Sequence, residues 1–413
     1  MMNKRHIAVL CLAIALILLS AVLPAWGQEP VNVLLTRDTV TITRAEYERL
    51  KQYELLNEVR SYVERDYLWE IDEQAMLDGA VNGMLAGLKD PYTFYYPAEV
   101  WKKFWEEDEG KYAGIGIQML GDYRDSSVTV TRVFKNTPAE EAGILKGDVL
   151  FMVEDLAVTT QTMSEAVDMM RGVPGEKVHV EMLRNGDVVK FDLVKAEIIV
   201  NRVEHTMLES QVGLITLYDF AGDVGPAFAA SLQALTNESA KALIIDLRDN
   251  PGGWVDDGVA IADLFLDREV LFYTEKRSGE RFYTYTTDGK TDIPLVVIVN
   301  DHSASTSEIF TAAMKDYDRA VLVGTKTFGK GITQQVVGLS DGVSGFQFTN
   351  AQYFSPLGNQ VHEIGVTPDI EVPMPEDLAG HYFAVGDLSD PQLKAAYDEA
   401  LKLIGKPAQA ARQ

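Results

Sequence analysis

The chain has 413 residues, 62 of them acidic and 37 basic, for a formal net charge of −25 at pH 7. So negative a surface repels phosphate backbones and anionic lipid, which argues against nucleic-acid binding and against a peripheral role on membranes. At 46% hydrophobic and 24% charged the chain can bury a core, and its length exceeds what one core usually serves, so roughly two to three domains are expected.

The N-terminus opens MMNKRH and runs through IAVLCLAIALILLSAVLPAW to Ala25-Trp26-Gly27. A short basic head, an uncharged apolar run and small residues at 25 and 27 read as an export signal over residues 1–27, cleaved after Gly27. The run is also about long enough to span a bilayer, so retention of residues 7–26 as a cytoplasmic-membrane anchor stays open. Both readings place the body outside the cytoplasm, in the periplasm or cell envelope or secreted. The lone cysteine, Cys11, falls inside this segment, so the mature chain is expected to hold no disulfide.

Residues 28–112 read as helical. Thr43 starts a capping box, T-R-A-E, and Tyr47, Leu50, Leu56, Val59 and Val63 continue one apolar stripe to about Tyr67. A second helix carries Leu77, Ala80, Val81, Met84, Leu85 and Leu88 on one face and stops at Asp90-Pro91. A third, over 97–110, holds two tryptophans among charges. A core and a second copy of the chain are both open as partners for these faces, so a homo-oligomer is an open expectation.

From 113 to 198 the pattern changes to short alternating strands (GIGIQML, SVTVTRVF, GDVLFMV, KVHVEMLR, VVKFDLV), with helices near Pro138–Ala142 and Ser164–Arg171 and a tight turn at Asn185-Gly186. With the phrases G-I-G-I and T-P-A-E-E-A-G-I-L-K-G-D, this region resembles a PDZ domain. The resemblance implies that a protein C-terminus adds as a strand, its carboxylate held by amides of Gly114, Ile115, Gly116 and Ile117 and attracted by Arg171. Arg171 is read equally well as a surface residue closing a helix before Gly172.

From 199 to 376 apolar strands (VGLITLY, ALIIDL, PLVVIV, AVLVG) alternate with helical segments, the pattern of an α/β layer with a largely parallel sheet. Residues 377–413 read as a weakly held tail.

The stretch NDHSASTSEIF sets Ser303, Ser305 and Ser307 at alternate positions, and Ser305 to Glu308 is itself a capping box. A serine nucleophile needs a base. No G-x-S-x-G or G-D-S-G-G phrase marks a Ser/His/Asp machine, which would have to draw on His205, His302 or His362 among the six histidines, His6, His179 and His381 being the others. A lysine serves if it is neutral, and Lys330 stands in T-F-G-K-G-I-T-Q after a buried-looking strand, between Gly329 and Gly331, with Phe328 as apolar cover. Bringing its pKa from about 10.4 to roughly 7.5 costs the fold on the order of 4 kcal/mol, so it demands a rigid site. The competing reading is a solvated turn lysine.

Together, S-A-S-T-S-E-I and F-G-K-G-I-T-Q resemble the pattern S-A-S-A-S-E-I with F-G-K-G-x-x-Q of the carboxyl-terminal processing, or tail-specific, proteases. The match runs from about Val59 to Val372 and includes A-x-x-G-M-L-x-x-L-K-D-P-Y and I-G-V-T-P-D. It implies Ser305 as nucleophile, Lys330 as base and Gln334 as an orienting acceptor. An extended strand would hold positions 330 and 334 roughly 13 Å apart, so Gln334 requires a bend or an intermediary. The phrase DLRDNPGG would supply an oxyanion donor from Gly252 or Gly253, the other coming from Thr306, where the family commonly has alanine. The expectation is an α/β multidomain chain, with a helical N-terminal segment, a PDZ-like β-rich domain and an α/β protease core, acting on protein C-termini as an exported serine endopeptidase. No metal or organic cofactor is implied. The rival from another class is an inactive PDZ-bearing envelope scaffold that binds C-termini without cutting them.

Overall fold

The computed structural model describes residues 43–122, 126–375, 378 and 383–405; the export segment with Cys11, His6 and His381 lie outside these. The described residues fall into two compact units, divided between Asp72 and Glu73. In the first, α1 (Arg44–Lys51) and α2 (Glu54–Asp66) replace the single helix expected from 43 to 67. The capping box forms, with Thr43 and Glu46 exchanging bonds at 2.7 and 3.2 Å. The break follows because the N–H groups of Gln52 and Tyr53 bond only three residues back, to Arg49 and Leu50, a tighter turn that resets the helix. No residue of either helix is buried.

The second unit starts with α3 (Glu73–Ala86), β1 (Phe94–Tyr96) and α4 (Ala98–Glu109), which ends at Gly110 in the left-handed region. Then comes the β-rich domain: β2 (Lys111–Gly114), β3 (Ile117–Asp122), β4 (Ser127–Val133), α5 (Pro138–Glu141), β5 (Val149–Val153), β6 (Leu156–Ala157), α6 (Met163–Met170), β7 (Lys177–Arg184), β8 (Asp187–Val194) and β9 (Ala196–Ile199). Its antiparallel sheet runs β3-β4-β5-β7-β8, and β2 pairs with β9 where the chain enters and leaves. Alternation puts Val128, Val130, Leu150, Val178, Val180 and Met182 on the inner face.

The core sheet is formed by β10 (Val203–Leu208), β11 (Val212–Leu217), β12 (Ala242–Asp246), β15 (Leu295–Val299), β16 (Val321–Gly324) and β19 (Ile370–Glu371), in that order, parallel from β11 onward. Every residue of β12 and β15 is buried, as both faces are covered. One face takes α7 (Val224–Asn237), α8 (Val255–Ala262) and α9 (Thr306–Asp316). A second, antiparallel sheet joins β1, β18 (Gly345–Phe354), β13 (Val270–Glu275) and β14 (Arg281–Tyr285), with β17 (Ile332–Gly338) also on β18.

The opposite face of the core sheet corrects the expected tail. Residues Pro391–Gly405 form α10, whose Leu393, Ala396, Tyr397 and Ala400 are buried against Val212, Ile244, Val296 and Ile298. Their i, i+3, i+4, i+7 spacing is that of an amphipathic helix, and without them the parallel strands would lie open to water. Leu393→Ala is accordingly expected to cost about 2–5 kcal/mol in urea unfolding. A loss under about 0.5 kcal/mol would show that this face needs no cover.

Candidate active site

The three serines divide by burial. Ser303 and Ser307 are fully buried, and their hydroxyls donate to the carbonyls of Leu247 at 2.7 Å and Asn250 at 3.0 Å, tying the serine segment to the loop after β12. Ser305 alone is half-exposed. It is the N-cap of α9, with φ 56° and ψ −117°, a conformation that costs a residue with a side chain on the order of 1–3 kcal/mol. Its backbone is held on both sides: the N–H donates to Glu308 Oε2 at 3.0 Å, and the carbonyl accepts from Glu308 N at 2.8 Å and from the Tyr353 hydroxyl at 3.1 Å.

Glu308 is fully buried, and it does more than complete the capping box. Its Oε2 also accepts from Lys330 N at 2.8 Å, while Oε1 accepts from Thr327 Oγ1 at 2.5 Å and Gly329 N at 2.7 Å. Burial pushes this carboxyl up from its ordinary value, against the four hydrogen bonds that favour its charge. Ser305 and Lys330 are thus joined, backbone to backbone, through one oxygen.

Lys330 is half-buried. Its amine lies 4.8 Å from the centre of the Tyr92 ring, and burial pushes it below its ordinary value, opposed by the Glu308 and Asp90 carboxylates. The apolar cover expected from Phe328 comes from Tyr92 instead. Gly329, at φ 93°, turns the backbone between positions 328 and 330, and Phe328 is 56% exposed. Gly331 is required for another reason: a Cβ there would stand 2.1 Å from the backbone N of His362. A register shift interrupts the β17–β18 pair between Thr333 and Gln334, and among the described residues the Gln334 side chain bonds Thr349, with no bond to the Lys330 amine. The Gln334 amide donates to Thr349 Oγ1 at 3.4 Å, and Thr349 N donates at 3.1 Å to the Thr93 hydroxyl, which in turn donates to the Asp90 carboxylate at 2.6 Å.

Of the two candidate glycines, Gly252 is buried and its N–H is already taken by Asn250 Oδ1 at 2.9 Å. Gly253 is exposed, and among the described residues neither its N–H nor that of Thr306 carries a hydrogen bond. Gly252 instead permits close approach: a Cβ there would lie 2.8 Å from Ser305 Cβ. The extra atoms of Thr306 are absorbed inward. Its hydroxyl donates to Gly253 O at 2.8 Å, and its methyl would stand 2.4 Å from a Cβ on Gly258 of α8.

None of the histidines weighed as a base bonds Ser305 among the described residues. His205 bonds Ser231 at 3.0 Å, exposed His302 bonds Asp249 at 3.1 Å, and His362 backs Gly331. Ile115, Gly116, Ile117 and Arg171 line one groove between β3 and α6, walled by Met119 and Met163; Gly114 is set back in β2. The Arg171 guanidinium pairs with Glu107 at 3.1 Å and lies over the Tyr112 ring. The roles of Glu308, Asn250 and Tyr92 escaped the sequence reading, although S-x-x-E and D-P-Y had marked two of them as structured. Gly258→Ala is expected to destabilise the fold by about 1–3 kcal/mol in thermal unfolding, and Thr306→Ala in the same chain to relieve most of that loss. Simple additivity of the two would mean that the pair does not touch.

Residues 211–372 match the model of peptidase family S41, residues 113–194 that of the PDZ domain, and residues 28–100 that of the activating protease CtpB N-terminal domain. The carboxy-terminal-processing protease of Bartonella bacilliformis is 31% identical over 366 residues, covering 86% of this chain and 83% of that one. Carboxy-terminal processing protease CtpA of Bacillus subtilis is 31% identical over 329 residues, covering 79% and 70%. Among solved structures, the photosystem II D1 C-terminal processing protease is 26% identical with a TM-score of 0.54, over 86% of this chain and 100% of that one. On these matches the chain belongs to peptidase family S41 as a serine-type, carboxy-terminal-processing protease with a PDZ domain.

Proposed function

We propose that this peptidase is exported by residues 1–27, captures the C-terminal tails of protein substrates in the groove between β3 and α6, and cuts them internally with Ser305 as nucleophile and Lys330 as general base. The observation that carries the reading is the oxygen of Glu308 shared by the Ser305 and Lys330 N–H groups. A flexible four-carbon stem rooted beside the Ser305 backbone gives the amine reach to the hydroxyl, and partial burial favours its neutral form.

In the first step neutral Lys330 takes the Ser305 proton as Oγ bonds to the scissile carbonyl carbon. The oxygen that becomes negative is met by the N–H groups of Gly253 and Thr306, Gly252 being committed to Asn250. The Lys330 ammonium then returns the proton to the leaving nitrogen as the C–N bond breaks, which frees one product and leaves an ester on Ser305. Water attacks the ester, giving a proton to Lys330, which passes it back to Ser305 as the acid product departs. Gln334 supports the amine through Thr349 and Thr93, whose hydroxyl bonds the Asp90 carboxylate.

Ser305→Ala and Lys330→Ala are each expected to lower cleavage of an unstructured protein by at least about 10³-fold. The base must be uncharged, so kcat/KM should rise with pH through a midpoint below the roughly 10.4 of a free lysine. A flat profile between about pH 5 and 9, or background cleavage equal in wild type and Lys330→Ala, would remove Lys330 as the base.

A further inference from the structure

The phrase D-P-Y-T at residues 90–93 ends a helix in the sequence, and above only its Asp90 enters, as the far end of the Gln334 relay. Its structure is unusually well braced. Asp90 Oδ1 accepts from Tyr92 N at 2.9 Å and Oδ2 from Thr93 Oγ1 at 2.6 Å. The turn is then fastened to β18: Gln347 Nε2 donates to Tyr92 O at 2.9 Å, Thr349 N donates to Thr93 Oγ1 at 3.1 Å, and β1 pairs with residues 345–347. On its free side the Tyr92 ring lies over the Lys330 amine at 4.8 Å. The titratable groups that act on the amine are Asp90 and Tyr92 from this turn and Glu308 from α9.

The geometry points to Tyr92 and Asp90 as positioning residues for Lys330: the ring roofs the amine, and the carboxylate braces the turn that carries the ring and adds a negative charge to the amine's surroundings. The assignment rests on Lys330 as the base. The competing role for Asp90 is to close its own turn, which its bonds to Tyr92 N and Thr93 already do. The two roles differ in one respect. A turn-forming aspartate affects how much enzyme is folded, whereas a counter-charge also sets the pH at which the amine gives up its proton. A negative group beside an ammonium favours the charged form, so its removal lets the amine ionise at lower pH.

Asp90→Asn is the chosen variant. Its amide oxygen still accepts from Tyr92 N, and the Thr93 hydroxyl is able to turn and accept from its NH2. With an unstructured protein as substrate, the midpoint of the kcat/KM profile is expected to fall by roughly 0.5–1 pH unit, the high-pH plateau staying within about tenfold of wild type. A lowered plateau with an unmoved midpoint would overturn the assignment. Should Asp90→Asn not fold, Tyr92 decides: Tyr92→Phe keeps the ring and most of the rate, while Tyr92→Leu is expected to lose roughly tenfold in kcat at unchanged KM. Equal kcat in these two would also overturn it. Lys330→Ala separates the layers of the reading. Full activity in that variant removes the Ser305/Lys330 chemistry and this assignment together, whereas an inactive Lys330→Ala beside an unmoved Asp90→Asn midpoint removes this assignment alone.

Discussion

A carboxylate with no exposure to water is costly to keep charged, by several kcal/mol even after a protein relaxes around it, unless donors replace the lost solvent. Glu308 meets that condition with four, three of them backbone N–H groups that have no means of accepting in return. Thr327 is nearly as constrained, because its hydroxyl accepts from Val366 N at 2.6 Å and so turns its proton to Glu308. The consequence is mechanical. The start of α9 and the segment from Thr327 to Lys330 are bound to the same two oxygens, so neither moves without the other.

The topology explains why these segments meet at all. The phrases DLRDNPGG, NDHSAS and TKTFGK follow β12, β15 and β16, three adjacent parallel strands, and all leave from their C-terminal ends. Parallel strands deliver their following loops to one edge of the sheet, where ligands of such folds gather. The loops are then cross-tied by the buried hydroxyls of Ser303 and Ser307 and by Asn250, whose amide donates to Leu217 O at 2.8 Å. Bracing of this density is what allows Ser305 to keep a backbone conformation that an isolated helix start would relax.

Around this edge the remaining elements act as a frame. α4 is the one that reaches farthest: Trp105 stacks on Trp254, next to Gly253, while Lys103 and Glu107 pair with Asp168 of α6 and with Arg171. A single helix therefore touches both the groove wall and the loop that holds Gly253. On the other side, Arg132 of β4 lies over the Tyr218 ring at 3.3 Å and pairs with Glu204 at 3.1 Å, seating the PDZ domain on the core.

Local pattern in the chain was enough to determine five strands of the PDZ domain, the four central strands of the core sheet with their largely parallel character, and the serine and lysine phrases that mark the family, but not the second, antiparallel sheet. Those signals survive in one dimension because strand and helix periodicity bring residues two to four apart onto one face. What only the tertiary structure decided is everything that depends on partners distant in sequence. Among the described residues it left the N–H of Gly253 without a partner while Asn250 occupies that of Gly252, and it made Tyr92 rather than Phe328 the cover of Lys330. It also turned the expected tail into α10, because the uncovered face of a parallel sheet needs apolar side chains wherever the chain supplies them. Hydrogen-bond donors and ring faces carry no record in the sequence of which distant group they will meet, so a buried carboxylate reads from its neighbours as a helix cap and becomes a clasp only when a second segment, Thr327 to Lys330, folds against it.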